Sequence, residues 1–321
     1  MGDIIAGTLA SMISLSVILL IAAQGESFVE KSGQFNLGIE GMMISSALCA
    51  FAATYFTGST AAGIAAGAVT GAVLGLLNFL LIEGLKISGV LVGIVFNLLA
   101  GGVTGFLTQL SLNGGSTPLQ SAKLEAVSIP LLSDIPYIGE SLFHQNAVVY
   151  LAFLAVPLIQ YYMFHTKHGL QIRAVGEDAA AARTMGINVG KVKRRCFILG
   201  GLTAGISGAY CSLTLGMFMD NMTANKGFIA MALCALCRQN PAAIFFGALF
   251  FALVDSIQIR LQLFQSGIPY EFMLCLPYIM TIIAVFLTSD KFRQKNRLHR
   301  AHALVRKTQI KKENKETEYY I

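Results

Sequence analysis

The sequence predicts an all-α, polytopic membrane helical bundle. It should hold about eight to ten transmembrane helices, one of them short and broken, and a short helix in a cytoplasmic loop. Three observations carry this expectation. Of the 321 residues, 55% are hydrophobic, and the mean hydropathy is +0.66. Only 12% are charged, about half the share of a soluble domain and too few to solvate the surface of a soluble protein this long. Long stretches also lack Asp, Glu, Lys and Arg entirely, and about 20 apolar residues suffice to cross a bilayer. The same numbers exclude an ordinary soluble enzyme, a disordered chain and a nucleic-acid binder. Glycine is abundant, at 32 residues, as expected where membrane helices approach closely.

The spans follow in order. Ile4 to Gly25 is the first; nothing basic precedes it and no clear small-residue cleavage site follows, so it reads as a retained span rather than a signal peptide. Gly41 to Ile82 carries no charge and is too long for one helix; Thr57-Gly58-Ser59-Thr60 divides it into the second and third spans. Ile87 to Leu110 is the fourth, Asn146 to Phe164 the fifth and Cys196 to Met217 the sixth. Gly227 to Cys237 covers only half a bilayer before Arg238-Gln239-Asn240-Pro241 interrupts it, since proline lacks an N–H and disfavours helix in the residue before it. Ala242 to Ile259 and Pro269 to Leu287 complete the set of eight full spans and one broken one.

Basic residues in short loops set the expected orientation. Residues 165–195 hold seven Lys/Arg, and the tail from Asp290 holds ten, together 17 of the 23 in the chain. Both are expected in the cytoplasm. The 111–145 segment has one basic residue, Lys123, against Glu125, Asp134 and Glu140, and is expected outside. The N-terminus then lies outside and the C-terminus inside, with Gly25 to Ser32 and Glu83 to Lys86 as inner loops. The domain expectation is a membrane domain over 1–290 and a basic cytoplasmic tail over 291–321.

Six cysteines lie in or beside apolar segments and none in the 111–145 loop, so no disulfide framework is implied. Cys234-Ala-Leu-Cys237 has no second Cys/His pair to complete a metal set; neither a metal nor a cofactor is expected. No GxxxxGK[ST] phosphate loop occurs.

Three segments carry chemical information. Ser32-Gly-Gln-Phe-Asn36-Leu-Gly-Ile-Glu40-Gly41 leads into the second span. Asn36 and Glu40 are four apart, hence on one face if the segment is helical. A carboxylate at the mouth of 42 charge-free residues either faces a polar cavity or caps a helix start, where its charge suits the dipole; spacing leaves both open. In the second segment, Glu177 and Asp178 suit a first helical turn, Ala179 to Ala182 favour helix, and Gly186 suits a stop. This surface helix is too short to span and small enough to enter a partner's groove. The third segment is the broken span with Arg238, Asn240 and Pro241, followed by Gly247 and Asp255.

Together these segments resemble the permease subunits of binding-protein-dependent ABC importers, the broad family for branched-chain amino acids, ribose-like sugars and nucleosides, and within it the nucleoside/simple-sugar branch. The early motif matches at Gly33, Asn36, Leu37, Gly38, Glu40, Gly41 and Met42. The cytoplasmic motif matches at Gly169, Leu170, Arg173, Ala174, Val175, Gly176, Glu177, Ala181, Ala182, Gly186 and Ile187. The late motif matches at Gly227, Phe228, Ile229, Ala230, Ala232, Arg238, Asn240 and Pro241. Cys237 stands where glycine is usual and Gln239 where tryptophan is common.

The resemblance implies a transport subunit rather than an enzyme, forming half of a solute pathway in a bacterial plasma membrane. Its partners would be ABC ATPase subunits, a second and different permease chain, an extracytoplasmic solute-binding protein and the lipid bilayer, with no nucleic acid. It implies ATPase coupling through Arg173, Gly176, Glu177, Ala181, Ala182, Gly186 and Ile187. The expected solute is a nucleoside or simple sugar, and Asn36, Glu40 and Asn97 are the polar candidates for the path between spans two, four and the broken one. The alternative is an ion- or proton-coupled secondary transporter titrating at Glu40, Asp255 and Glu271. A polytopic membrane enzyme would need a His/Asp/Glu cluster that the sequence does not offer.

Overall fold

The computed structural model describes residues 2–111, 120–128, 144–263 and 279–280. Among them are ten α-helices: α1 (Gly2–Lys31), α2 (Ile39–Thr57), α3 (Thr60–Phe79), α4 (Gly89–Ser111), α5 (Ala147–His165), α6 (Lys167–Glu177), α7 (Ala179–Thr184), α8 (Val189–Leu215), α9 (Lys226–Leu236) and α10 (Pro241–Leu263). A π-helical turn, Leu80–Gly84, extends α3, and a small antiparallel pair joins Ala126–Ser128 to His144–Asn146. Seven helices are long and apolar enough to cross a membrane, and α9 is the short one. The protein is an all-helical, polytopic bundle. Residues 2–263 fall within one compact unit, Met1–Leu274; a second unit starts at Cys275. The expected last span, Pro269 to Leu287, and the basic tail lie almost wholly outside the described residues.

The helices begin and end where local chemistry dictates. Gly58, at φ 70°, closes α2 by donating its N–H to the Thr54 carbonyl, which is the break placed at Thr57–Thr60. Gly216, at φ 67°, closes α8 in the same way through Ser212. Asn188 opens α8 by accepting from the Lys191 N–H at 3.0 Å.

Two helices form the centre. On α1 every residue from Ala22 to Glu30 is buried. The helix therefore runs through Lys31, and the expected inner loop from Gly25 to Ser32 is instead its last turns. α8 packs against α1, α2 and α3. Its seam with α3 is made of backbone: a Cβ added at Gly71 would sit 2.6 Å from the Gly205 Cα, and one at Gly201 would sit 2.8 Å from the Gly75 Cα. With no hydrophobic drive between helices in lipid, such close van der Waals contact is what associates them. α3, α4 and α5 turn most of their apolar surface outward, with Leu77, Leu98, Phe106, Leu151 and Leu158 among the exposed side chains.

Gly201→Leu should therefore force α3 and α8 apart and cost about 1–3 kcal/mol. The detergent-purified protein should melt at lower temperature, whereas Gly190→Ala, at an exposed position of α8 with no close neighbour, should not lower it. Equal melting of the Gly201 variant and the parent would refute the backbone seam.

Candidate functional site

The polar centre of the molecule is the non-helical break between α1 and α2, residues 32–38, and everything that holds it. Asn36 is fully buried. Its backbone N–H donates to Glu26 Oε1 at 3.1 Å, its Oδ1 accepts from Asn78 Nδ2 at 2.9 Å, and its Nδ2 lies 3.6 Å from the Met42 sulfur. Asn97, on α4, grips the far side of the break: its Oδ1 accepts from the Gly41 N–H and its Nδ2 donates to the Leu37 carbonyl, both at 2.8 Å. The approach is close, since a Cβ at Gly41 would meet the Asn97 Oδ1 at 2.9 Å.

Glu40 lies in the first turn of α2 and reaches across to α9. Its Oε1 accepts from the Thr223 hydroxyl at 2.5 Å and from the Asn225 N–H at 3.0 Å; its Oε2 accepts from the Gly227 N–H at 2.7 Å. The first N–H groups of a helix have no partner within it, and together with the dipole they make a site for an anion. A buried carboxylate fills that site here. The helix start that Glu40 caps is that of α9 rather than that of its own helix α2.

The expectation that Asn36 and Glu40 share a helix face is corrected. The helix starts only at Ile39, so Asn36 turns to α1 and α3 while Glu40 turns to α9. Asn36, Glu40 and Asn97 thus do converge on one segment, but their polar atoms bond to protein.

Two carboxylates escaped the sequence reading. Glu26 is fully buried, and its Oε2 has no hydrogen-bond partner among the described residues. Glu30, one turn on, accepts from Gln239 Nε2 at 3.0 Å, with the Cys234 thiol beside it. Nearby, Gln24 Nε2 donates to the Pro241 carbonyl at 2.8 Å. α1 is therefore tied to the Cys237–Pro241 corner that interrupts the broken span. The available signal was the i, i+4 spacing of Glu26 and Glu30 directly after an apolar run. Asp255, on α10, lies within electrostatic reach of Lys226 at the start of α9.

The loop between the fifth and sixth spans holds two helices rather than one. Glu177 ends α6 instead of opening the alanine helix. Asp178 is the N-cap of α7, its Oδ1 accepting from the Ala180 and Ala181 N–H groups at 2.8 and 3.1 Å. The residues singled out for coupling divide by position. Ala182 is buried in a cluster with Phe28, Ile172, Val189 and Val192, and the half-buried Ile187 packs on that cluster. The Arg173 guanidinium sits 5.3 Å above the Phe164 ring. Gly176 touches the Lys31 carbonyl, with no room for a Cβ, and lies beside Gly33. Glu177, Ala181 and Gly186 are exposed, as is Met185 at 82%. Gly186, at φ 82°, takes the left-handed conformation that suits glycine.

Glu40→Leu would leave one hydroxyl and two backbone N–H groups without an acceptor, at about 1–3 kcal/mol for each buried donor. The variant should melt well below the parent, with Glu40→Gln between them. If Glu40→Leu melts with the parent, the cap contributes nothing.

Residues 8–285 match the family described as branched-chain amino acid transport system / permease component. A putative glucose ABC transporter permease of Haloferax volcanii is 35% identical over 80% of this chain and 78% of its own. A guanosine ABC transporter permease of Bacillus subtilis is 33% identical over 83% and 87%. A nucleoside ABC transporter permease of Lactococcus lactis subsp. cremoris is 31% identical over 88% and 92%. With the match covering nearly all of the helical bundle, this chain belongs to the permease-component family of ABC transport systems.

Proposed function

We propose that this chain imports a nucleoside or a simple sugar as one half of a transmembrane pathway. It pairs with a second, different permease chain in a bacterial plasma membrane, receives solute from an extracytoplasmic binding protein, and is driven by separate ATPase subunits. The relatives named for glucose, guanosine and nucleosides support this solute class. The N-terminus lies outside and the C-terminus inside, as the basic residues of 165–195 and of the tail require under the positive-inside rule.

The observation that carries the mechanism is the contact of Gly176 with Lys31 and Gly33. An ATPase pulling on the 165–195 loop would grip the exposed side of α7 at Ala181, Arg183 and Met185. The buried Ala182 and the half-buried Ile187 and Arg173 would keep the loop rigid, and Gly176 would pass the displacement to the break at residues 32–38. Asn36, Asn97 and Glu40 then transmit it to α2, α4 and α9. In this reading they shape the pathway by holding its walls rather than by touching solute. Glu83 adds a second strut, accepting from Gln34 and from Lys193 near the start of α8.

Ala181→Arg should leave membrane insertion intact and reduce ATPase co-purification and ATP-driven uptake together, by about tenfold or more. Ala182→Arg should lower stability as well, because that position is buried. If the Ala181 variant retains ATPase and transports normally, the loop is a connector and the coupling reading fails.

A further inference from the structure

The stretch from Met217 to Asn225, between α8 and α9, is not helical; it begins where Met217 pairs with Gln120 and runs down to the first turn of α2. Phe218 is buried against Ile44, Ala47, Phe51 and Ala100, with Met222 beside them. Thr223 and Asn225 reach Glu40 in the first turn of α2. A Cβ on Gly105 would sit 3.5 Å from both Asp220 carboxylate oxygens, and Gly105 lies six residues from the end of α4, about 9 Å along its axis. Despite this depth, Met219, Asp220, Asn221, Ala224 and Asn225 are all exposed. Asn221, Ala224 and Asn225 adopt positive φ of 54°, 46° and 62°, conformations that cost energy and persist where surroundings impose them.

Irregular backbone at membrane depth cannot face lipid; it is tolerated only inside protein or along a water-filled cavity. A carboxylate facing lipid is costlier still. Asp220 makes no hydrogen bond or ion pair to any described residue, and the α4 surface beside it is open: a Cβ at Gly101 or Gly102 would meet nothing within 4 Å. Smooth helix, exposed carboxylate and exposed amide together form a polar face with room for a flat ring.

We propose that residues 219–225 and the glycine face of α4 are a wall of the solute passage, where Asp220 and Asn221 bind the neighbouring hydroxyls of a sugar ring, free or in a nucleoside. The two oxygens of Asp220 accept from two hydroxyls, and the Asn221 amide adds a donor and an acceptor. The inference rests on the permease reading for its solute, but on exposure and depth alone for the water-filled wall.

The test uses the complete transporter, with its ATPases, partner permease and binding protein, in a Cys49→Ser background that removes an exposed native thiol. Asp220→Cys and Asn221→Cys should react with a membrane-impermeant thiosulfonate at least about tenfold faster than Leu158→Cys on the outward apolar face of α5, and saturating guanosine or glucose should slow that reaction. Asp220→Leu should lower uptake about tenfold, as loss of hydrogen bonds to a charged group predicts, with Asp220→Asn between. Reaction of Asp220→Cys and Leu158→Cys at equal rates overturns the wall. Labelling without any uptake loss in Asp220→Leu overturns hydroxyl recognition. ATP-independent uptake with the labelling pattern intact would instead sink the permease reading and leave the water-filled wall standing.

Discussion

One carboxylate fixes the middle of this molecule. Glu40 joins α2 to the start of α9 through three hydrogen bonds. Without it the buried Thr223 hydroxyl and Gly227 N–H would lose their acceptor. The helix is only Lys226–Leu236, about 16 Å long, so it cannot reach from one membrane face to the other. It needs an irregular stretch at one end and an anchor where the two meet. Glu40 is that anchor, and the irregular stretch is Met217–Asn225. The break before α2, the Asn97 grip on Leu37 and Gly41, and the Asn36–Asn78 pair all serve to place Glu40 there.

The arrangement also connects the loop outside the bilayer to the half-helix within it. Gly176 of α6 bears on Lys31 and Gly33, and the next residues of that segment carry Asn36 and then Glu40. The path is short and made of backbone contacts and buried hydrogen bonds. A displacement of α6 and α7 cannot be absorbed by rotamer changes along it, because interiors packed this closely move as discrete pieces rather than deforming smoothly.

Much of this was legible in the sequence, for stated physical reasons. Charge-free runs located the seven described spans because lipid excludes ionised side chains, and Gly58 and Pro241 marked real breaks. Spacing brought Asn36 and Glu40 forward and the resemblance Asn97, and the fold gathers them on one segment. Helical spacing misled at Asn36, because Gly33 and Gly38 hold that segment out of the helix. It misled again at Glu177, where Asp178 rather than Glu177 makes the cap. Ala182 looked like part of an outward face because four alanines in a row carry no mark of which one is buried. Glu26 and Glu30 were read as loop residues because two carboxylates ordinarily end a span. Their partners, Asn36 and Gln239, supply the donors that let α1 continue, and nothing near them in sequence announces that pairing. Asp220 and Asn221 gave no signal either, since polar residues between two helices look like any surface turn.

The first helix has a consequence for how the chain is made. α1 carries Gln24, Glu26 and Glu30 in its buried last turns, and on its own it would hold two carboxylates against lipid, at several kcal/mol. Gln24 bonds to Pro241 and Glu30 to Gln239, more than two hundred residues later in synthesis. α1 is therefore made well before the helices that complete it. Until α9 and α10 arrive, it must wait at the edge of the bilayer or in the care of the insertion machinery, and a chain truncated before Gln239 would present it to quality control as an unassembled segment.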